Sequence, residues 1–452
     1  MPNLIDSYKA VVLAAGKGTR MNSDIPKVLH KICGTEMLNI LLDTTFTAGI
    51  TSSVTVVPKE NDLFKVAVKN KTTFAVQKEA KGSGHALLQS SRQTVDAKNI
   101  IVLNGDVPLV KSTTITSLIS HHDKSAATIT ILTSRSISPD GLGRVVRNQY
   151  GSIEAIVEEK EAEADTLSIN EINAGVYCFQ VPWVWNALEA LKPSCNGEFY
   201  ITDLVALASA QELTIESIES KDPYEVRGVN NRVELSELEL AVRERILHDW
   251  MLKGVTIIDP NTTYIDHEVE IGQDTMVHPN THIRKGSRIG SQCVIGPNTT
   301  IDNSILGDFC EINSSIVEDA KLDNRVEVGP FSHIREGTLL EDSVHIGNYT
   351  EIKNSHLGKG TKSGHFSYLG DADIGTNVNI GAGTITCNYD GKDKHRTVIG
   401  DEAFIGCDTM LVAPINIGRR ALTGTGSIVT KDVPADSKAI GSPARILRGG
   451  RS

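Results

Sequence analysis

Two clusters of side chains could do chemistry, and the first lies near the start of the chain. The segment LAAGKGTRM, residues 13–21, places Leu13, Ala14, Ala15, Gly16 and Lys17 in a turn after the apolar run Ala10–Leu13, and Arg20 and Lys27 follow. Small residues let backbone N–H groups approach phosphate oxygens, and two fixed positive charges would face the same loop mouth. The turn is neither a Walker A loop nor the dinucleotide fingerprint, because Met21 stands where a third glycine would be needed. Bare, Gly-Lys-Gly reads as an ordinary turn; Arg20 and Lys27 bring phosphate binding level with that reading. Asp106 closes a second apolar run, Ile100–Leu103, within NGDVP. A carboxylate there either shares Mg²⁺ with phosphates or caps a strand end. Asn230 closes another apolar stretch after VRGV.

The second cluster interrupts a regular pattern. Lys353, His365, Tyr368, Asn379, Ala382, Asn388 and Tyr389 fall in one stretch, and residues 388–396 read NYDGKDKHR, a polar loop where a coil should turn without pause. Insertions of this kind map to one face of a repeat array, often the binding face, although a plain surface loop is the simpler reading. There are 13 histidines. Most read as solvated or corner residues, and none is spaced as a defensible zinc trio.

These residues need two kinds of scaffold. Positions 1–230 alternate short apolar runs with helical patterns such as Met37–Phe46, which predicts a mostly parallel sheet covered on both faces, with ligands at the carboxyl ends of the strands. Residues 231–253 read as one helix with Leu235, Leu238, Leu240, Val242, Ile246 and Leu247 on its apolar side, a connector between halves. From Ile265 a different period begins. Branched apolar residues recur every six positions at Ile265, Ile271, Val277, Ile283, Ile289, Ile295 and Ile301, with further runs from Leu322 to Ile352 and from Ile399 to Ile417. Neither 3.6 nor 2 gives sixes over such lengths; a coil with three short faces does. Glycines after many of these positions are expected to permit the tight corners. The fold expected is an α/β nucleotidyltransferase domain with a Rossmann-like mixed sheet (1–230), a helical linker (231–253), and a left-handed parallel β-helix of hexapeptide repeats (254–452).

Composition narrows the function classes. The chain has 452 residues, 40% hydrophobic and 5% aromatic, so its cores must rest on Leu, Ile and Val. Its net charge is −11 with no basic arm, which argues against nucleic acid as the main partner. No run approaches a membrane span, the first residues lack a basic start and apolar signal core, and seven scattered cysteines form no CxxC. A reducing cytoplasm is expected.

LAAGKGTRM followed by PK, with NGDVPL, EVRGVNN and the hexapeptide repeats, resembles the bacterial bifunctional N-acetylglucosamine-1-phosphate uridyltransferase/glucosamine-1-phosphate acetyltransferases over essentially the whole chain. The resemblance implies UTP and acetyl-CoA as co-substrates, Mg²⁺ as cofactor, and a homotrimer through the β-helix. It also implies UDP-N-acetylglucosamine as a product that feeds peptidoglycan and other envelope glycans. By it, Leu13, Ala14, Ala15, Gly16 and Lys17 line the UTP site, Arg20 and Lys27 contact its phosphates, and Gln77 reads uracil with the loop Gly82-Ser83-Gly84-His85-Ala86. Asp106 and Asn230 would hold Mg²⁺, and Gly143, Glu158, Asn173 and Thr202 would cradle the sugar phosphate. In the second half His365 would be the general base, Arg335 and Lys353 would bind glucosamine phosphate, and Tyr368, Asn379 and Asn388 would complete the pocket with Tyr389 near it. Ala382, Asn388, Tyr389, Cys407, Thr425 and Arg445 would border acetyl-CoA.

Three positions depart from the family's pattern: Ala80 replaces a second glutamine, Cys407 a serine, and Ser442 an arginine, which Arg445 would replace against CoA. Rival readings are a one-activity nucleotidyltransferase with a β-helix for assembly, a non-catalytic scaffold, and a γ-class carbonic anhydrase. The last leaves the whole segment before the helix unexplained.

Overall fold

The computed structural model describes residues 4–58, 62–68, 71–136, 139 and 141–447, which fall into two compact units divided between Ala241 and Val242. Among the described residues no helix is long and apolar enough to cross a membrane.

In the first unit, β-branched runs become the strands of a nine-stranded sheet. Tyr8–Leu13 lies parallel between Ser53–Val57 and Asn99–Asn104, and Thr73–Val76 extends one side. The sheet is mixed, as expected: Glu171–Gln180 runs antiparallel to both Asn99–Asn104 and Ile129–Arg135, and Arg144–Arg147 pairs antiparallel with Glu171–Gln180 and with Ile153–Val157. Successive residues of Tyr8–Leu13 feed opposite cores, Ala10 and Val12 on one face and Val11 on the other. Helices therefore cover both faces, and loops carrying chemistry emerge at one set of strand ends. Helix Met37–Thr47 turns Met37, Leu38 and Leu41 inward, but Phe46 is exposed and lies off the apolar stripe.

The long helix spans Arg232–Leu252. Asn231 starts it, its Oδ1 accepting from the N–H groups of Val233 and Glu234 at 2.9 and 3.0 Å. Glu234 reaches back to accept from the Asn230 N–H at 2.7 Å, a close variant of the capping box. Of the expected apolar side Leu238, Val242 and Leu247 are buried, whereas Leu240 points to solvent.

Among the described residues the second unit is a three-faced prism of parallel ladders, with 12 strands on the first face, the last of them added antiparallel as a hairpin, 10 on the second and nine on the third. One apolar residue per face points inward, so Ile271 stacks beneath Ile289 and Ile289 beneath Leu306. Coil length is not constant. It shortens by one residue between the pairs Ile271↔Ile289 and Ile289↔Leu306 and by another at Leu306↔Leu322, which is why the sixes break phase after Ile301. One coil is much longer: Ile374 pairs with Ile399, because residues 388–396 leave the prism as a loop.

Of the glycines expected to permit tight corners, Gly296 holds a positive φ, +103°, and the others serve a different purpose. Gly272, Gly290, Gly347, Gly400, Gly406 and Gly418 do not hold a positive φ; that falls two residues later, at Asp274, Gln292, Tyr349, Glu402, Asp408 and Arg420. What each glycine permits is coil-to-coil approach: a Cβ on Gly272 would sit 2.5 Å from Ser291 N, and one on Gly406 2.6 Å from Thr423 O. Hydroxyl groups satisfy interior carbonyls between coils, as Thr361 Oγ1 does for Gly375 O at 2.7 Å.

Candidate functional sites

A cleft of about 420 Å³ opens where strands Tyr8–Leu13 and Asn99–Asn104 end. Leu13, Ala15, Gly16, Lys17, Arg20, Lys27, Gln77, Gly82, Ser83 and Asn230 all line it, with Ala80 and Glu198. Ala14 does not: it is buried, its N–H donating to Val56 O at 2.8 Å. Gly18 adopts φ +59°, and a Cβ there would lie 2.8 Å from Lys27 Cβ, so only glycine lets the lysine fold back under the loop. Gly16 has open space around its missing side chain, room a ligand's phosphate can use.

At the strand ends a polar knot joins the expected phosphate and metal residues. Lys27 Nζ donates to Asp106 Oδ2 and to Asn230 Oδ1, the latter at 3.3 Å, and Arg20 donates to the same Asn230 oxygen at 2.9 Å. Two elements bring Asn230 there. The Val229 N–H donates to Asp106 O at 2.9 Å, and the helix cap at Asn231–Glu234 fixes the residue that follows. An ammonium already sits between two hard oxygen donors, so the pair is arranged to share a cation. One carboxylate and one amide oxygen suit Mg²⁺, which takes few protein ligands and completes its shell with phosphates. Among the described residues no group of three His, Cys, Asp or Glu side chains is set to hold a metal.

Gly143, Glu158, Asn173 and Thr202 gather in the same unit. Thr202 Oγ1 donates to Glu158 Oε1 at 3.0 Å, the Asn173 N–H donates to Gly143 O at 2.9 Å, and Gly143 lies against both side chains. Burial pushes the Glu158 carboxyl above its ordinary pKa, while the Thr202 hydroxyl opposes that shift. Asn173 Nδ2 donates to Tyr177 OH at 2.6 Å and its Oδ1 accepts from Gly175 N at 3.1 Å, which fixes the amide's orientation. Ser83 Oγ, accepting from Ile201 N at 3.0 Å, links the cleft loop to the segment that carries Thr202.

On the prism, the corner between the first and second faces carries a column. Ser363, Ile380, Ile405 and Thr423 stack in register, so His365, Ala382, Cys407 and Thr425, each two residues on, fall at one position in four successive coils. His365, Cys407 and Thr425 are exposed. The His365 corner is irregular: Phe366, third after Ser363, lacks the left-handed conformation held at Tyr349, Gly383 and Asp408. Thr350 Oγ1 donates to His365 O at 2.9 Å and fixes this corner from the coil before.

The second face holds the cations. Arg335 donates to Glu351 Oε1 at 2.6 Å, and Lys353 pairs with Glu336 at 2.8 Å. The hydrogen bond to Glu351 raises the Arg335 pKa, and the one from Lys353 lowers that of Glu336. Lys353 lies beside Gly370 in register. A Cβ on Gly370 would strike Tyr368 and come within 2.8 Å of Asn388 Nδ2, so the glycine makes room for both. Asn388 donates to Tyr368 OH at 3.4 Å and to Asp371 Oδ2 at 2.5 Å. Tyr389 is exposed on the projecting loop, bridged to Lys394. Asn379 is exposed on the first face, and Arg445 sits opposite Ile440 in the terminal hairpin; among the described residues no hydrogen bond or ion pair joins either to Arg335 or Lys353.

Reading the sequence missed Glu198 and Asp371. Glu198 has no local signal. Asp371 had one, a polar corner residue one coil after Asn354, whose amide donates to it at 2.6 Å.

A nucleotide-type cleft on a mixed α/β sheet and a column of exposed groups on a three-faced coil define a two-centre transferase. Residues 10–168 match the MobA-like NTP transferase domain, and residues 268–303 match the bacterial transferase hexapeptide of six repeats, which makes the prism a left-handed parallel β-helix. The "Bifunctional protein GlmU" of Carboxydothermus hydrogenoformans is 44% identical over 96% of this chain and 97% of its own length. Those of Exiguobacterium sibiricum (43%; 96% and 97%) and Pelobacter propionicus (41%; 99% and 98%) are similarly close. The chain belongs to the GlmU family of bifunctional proteins, and joins a nucleotidyltransferase domain to a hexapeptide acetyltransferase domain.

Proposed function

We propose that the chain makes UDP-N-acetylglucosamine in two steps: the β-helix transfers acetyl from acetyl-CoA to glucosamine-1-phosphate, and the first unit then transfers uridylyl from UTP to N-acetylglucosamine-1-phosphate. The observation that carries this reading is the knot of Lys27, Arg20, Asp106 and Asn230 at the strand ends.

In the uridyl step a sugar-phosphate oxygen attacks the α-phosphorus in line, the new P–O bond forms, and the bond to pyrophosphate breaks. Arg20 and Lys27 offset the charge that builds there, while Gly143, Glu158, Asn173 and Thr202 orient the sugar. Asp106 and Asn230 would hold Mg²⁺, which when bound neutralises phosphate charge and polarises the phosphoryl group. In the acetyl step the amine nitrogen bonds to the thioester carbonyl carbon as His365 takes its proton, the C–S bond breaks, and the thiolate of CoA leaves. Arg335 and Lys353 hold the acceptor's phosphate. Cys407 is assigned no nucleophilic role.

The assembly we infer is a homotrimer through the β-helix, in the cytoplasm, with the helix around 231–253 as connector between units 1–230 and 254–452. The places of Asn379 on the first face and Arg445 in the terminal hairpin, away from the second-face strands that carry Arg335 and Lys353, support a pocket completed by a neighbouring prism.

The test is product formation by the purified protein with glucosamine-1-phosphate, acetyl-CoA, UTP and Mg²⁺, each left out in turn. Free thiol, pyrophosphate and nucleotide sugar are followed together. Acetyl-CoA-dependent appearance of UDP-N-acetylglucosamine supports both halves and their order. Pyrophosphate released only from ready-made N-acetylglucosamine-1-phosphate, with no free CoA, would reduce the β-helix to assembly.

A further inference from the structure

Gln77 is almost wholly buried at the wall of the nucleotide cleft, 4% exposed. Its Nε2 lies 3.1 Å from Gly82 O and 3.0 Å from His85 Nδ1. A backbone carbonyl can only accept, so the amide nitrogen must face it, and the same nitrogen's second hydrogen points at the imidazole. Both donors are then consumed. Among the described residues no protein group donates to Gln77 Oε1, which leaves a bare acceptor on the cleft wall. Ala80, also lining the cleft, offers only a methyl group.

We propose that His85 is a specificity-positioning residue: its unprotonated Nδ1 locks the Gln77 amide so that only a carbonyl oxygen meets the nucleobase, which selects uracil over cytosine. This rests on the reading of the cleft as a UTP site. Uracil presents N3–H, a donor that Oε1 accepts; cytosine presents a bare N3 lone pair, which Oε1 repels. With Ala80 in place of a second amide, Gln77 Oε1 is the side-chain acceptor left to make that discrimination beside the backbone of the Gly82 loop.

The ring has two further polar neighbours, the Gln89 amide and the backbone carbonyl of Glu79. Gln89 Nε2 is 3.4 Å from His85 Nε2 and already donates to His85 O at 3.1 Å. A ring proton on Nδ1 would oppose the Gln77 donor at 3.0 Å, whereas one on Nε2 opposes the Gln89 amide at the longer distance of 3.4 Å, and that amide already has a partner in His85 O. Burial, then Lys81, holds the His85 pKa below its ordinary value, with Glu79 opposing, so the ring is neutral near pH 7.

The experiment is kcat/KM for UTP and for CTP with the full-length protein and its His85→Ala, His85→Asn and Gln77→Ala variants. Acetyl transfer by the same preparations is the folding control. His85→Ala is expected to lower the UTP:CTP ratio roughly tenfold, the scale of one lost hydrogen bond. His85→Asn, whose Oδ1 can stand in for Nδ1, is expected to restore most of the ratio. If Gln77→Ala collapses the ratio while His85→Ala leaves it intact, or lowers both rates equally, the positioning role is overturned. If Gln77→Ala also leaves the ratio unchanged, the uracil-reading assignment fails instead.

Discussion

Asp106 and His365 belong to different units, so removing either should silence one half of the chemistry alone. Asp106→Ala is expected to reduce uridyl transfer by roughly a thousandfold or more while acetylation continues. His365→Ala is expected to reduce acetyl transfer by about 10²–10⁴ while uridyl transfer continues. Separate assays with N-acetylglucosamine-1-phosphate plus UTP, and with glucosamine-1-phosphate plus acetyl-CoA, check both; equal damage to both activities by either substitution would sink the two-centre reading. A structural histidine carries a pH prediction. His122 is buried, its Nδ1 2.8 Å from Thr130 Oγ1, and burial pushes it down to about 4 from the ordinary 6.5. The unfolded chain therefore binds this proton first as the medium acidifies. The stability from His122 is complete above about pH 6.5 and falls away toward pH 4, by up to about 3 kcal/mol. Unfolding midpoints measured from pH 7 to 4.5 should fall more steeply for the wild type than for His122→Phe. Single side chains divide sharply in legibility. Arg20, Lys27 and Asp106 were readable because a local motif carries them. His85's bond to Gln77 and Asp371's grip on Asn388 were not, since each depends on geometry that only the folded turn or coil supplies.

Elements convert those local preferences into placement. The Asn231–Glu234 cap starts the long helix and also holds the N–H of Asn230, so its loss should be felt twice. Asn231→Ala is expected to cost about 1 kcal/mol of stability and to weaken uridyl transfer. A chemical denaturation curve run beside the uridyl assay would reveal it; an unchanged midpoint and rate would show the cap to be incidental. In the prism, Gly272→Ala must push a Cβ against the Ser291 backbone at 2.5 Å. A loss of about 1–3 kcal/mol is expected from the thermal transition of the second unit, with uridyl transfer untouched. The three-faced coil was legible because its period differs from every other regular structure. The exact phase was not: corners absorb one residue more or less, and Ser363, Thr386 and Thr423 take interior positions where the apolar pattern would have aliphatic side chains. The antiparallel strand Glu171–Gln180 was hidden for another reason, since alternation along a strand does not report its direction.

At the scale of the whole chain, each unit buries its own cores, and nothing in the expected chemistry requires one chain to perform both steps. A mixture of Asp106→Ala and His365→Ala proteins is therefore expected to make UDP-N-acetylglucosamine from glucosamine-1-phosphate, acetyl-CoA and UTP, although neither does so alone. Failure of the mixture, with each variant keeping its remaining activity, would mean that the acetylated sugar phosphate does not pass freely between molecules. The column His365, Ala382, Cys407, Thr425 has a metric consequence as well. Parallel strands repeat at about 4.8 Å, so three coil steps set a gauge of about 14 Å along this corner. On the proposed acetyl transfer such a gauge would measure reach: a carrier with a long extended arm would rest on Thr425 while its acyl carbon meets His365, and a truncated thioester would engage only one end of the scale.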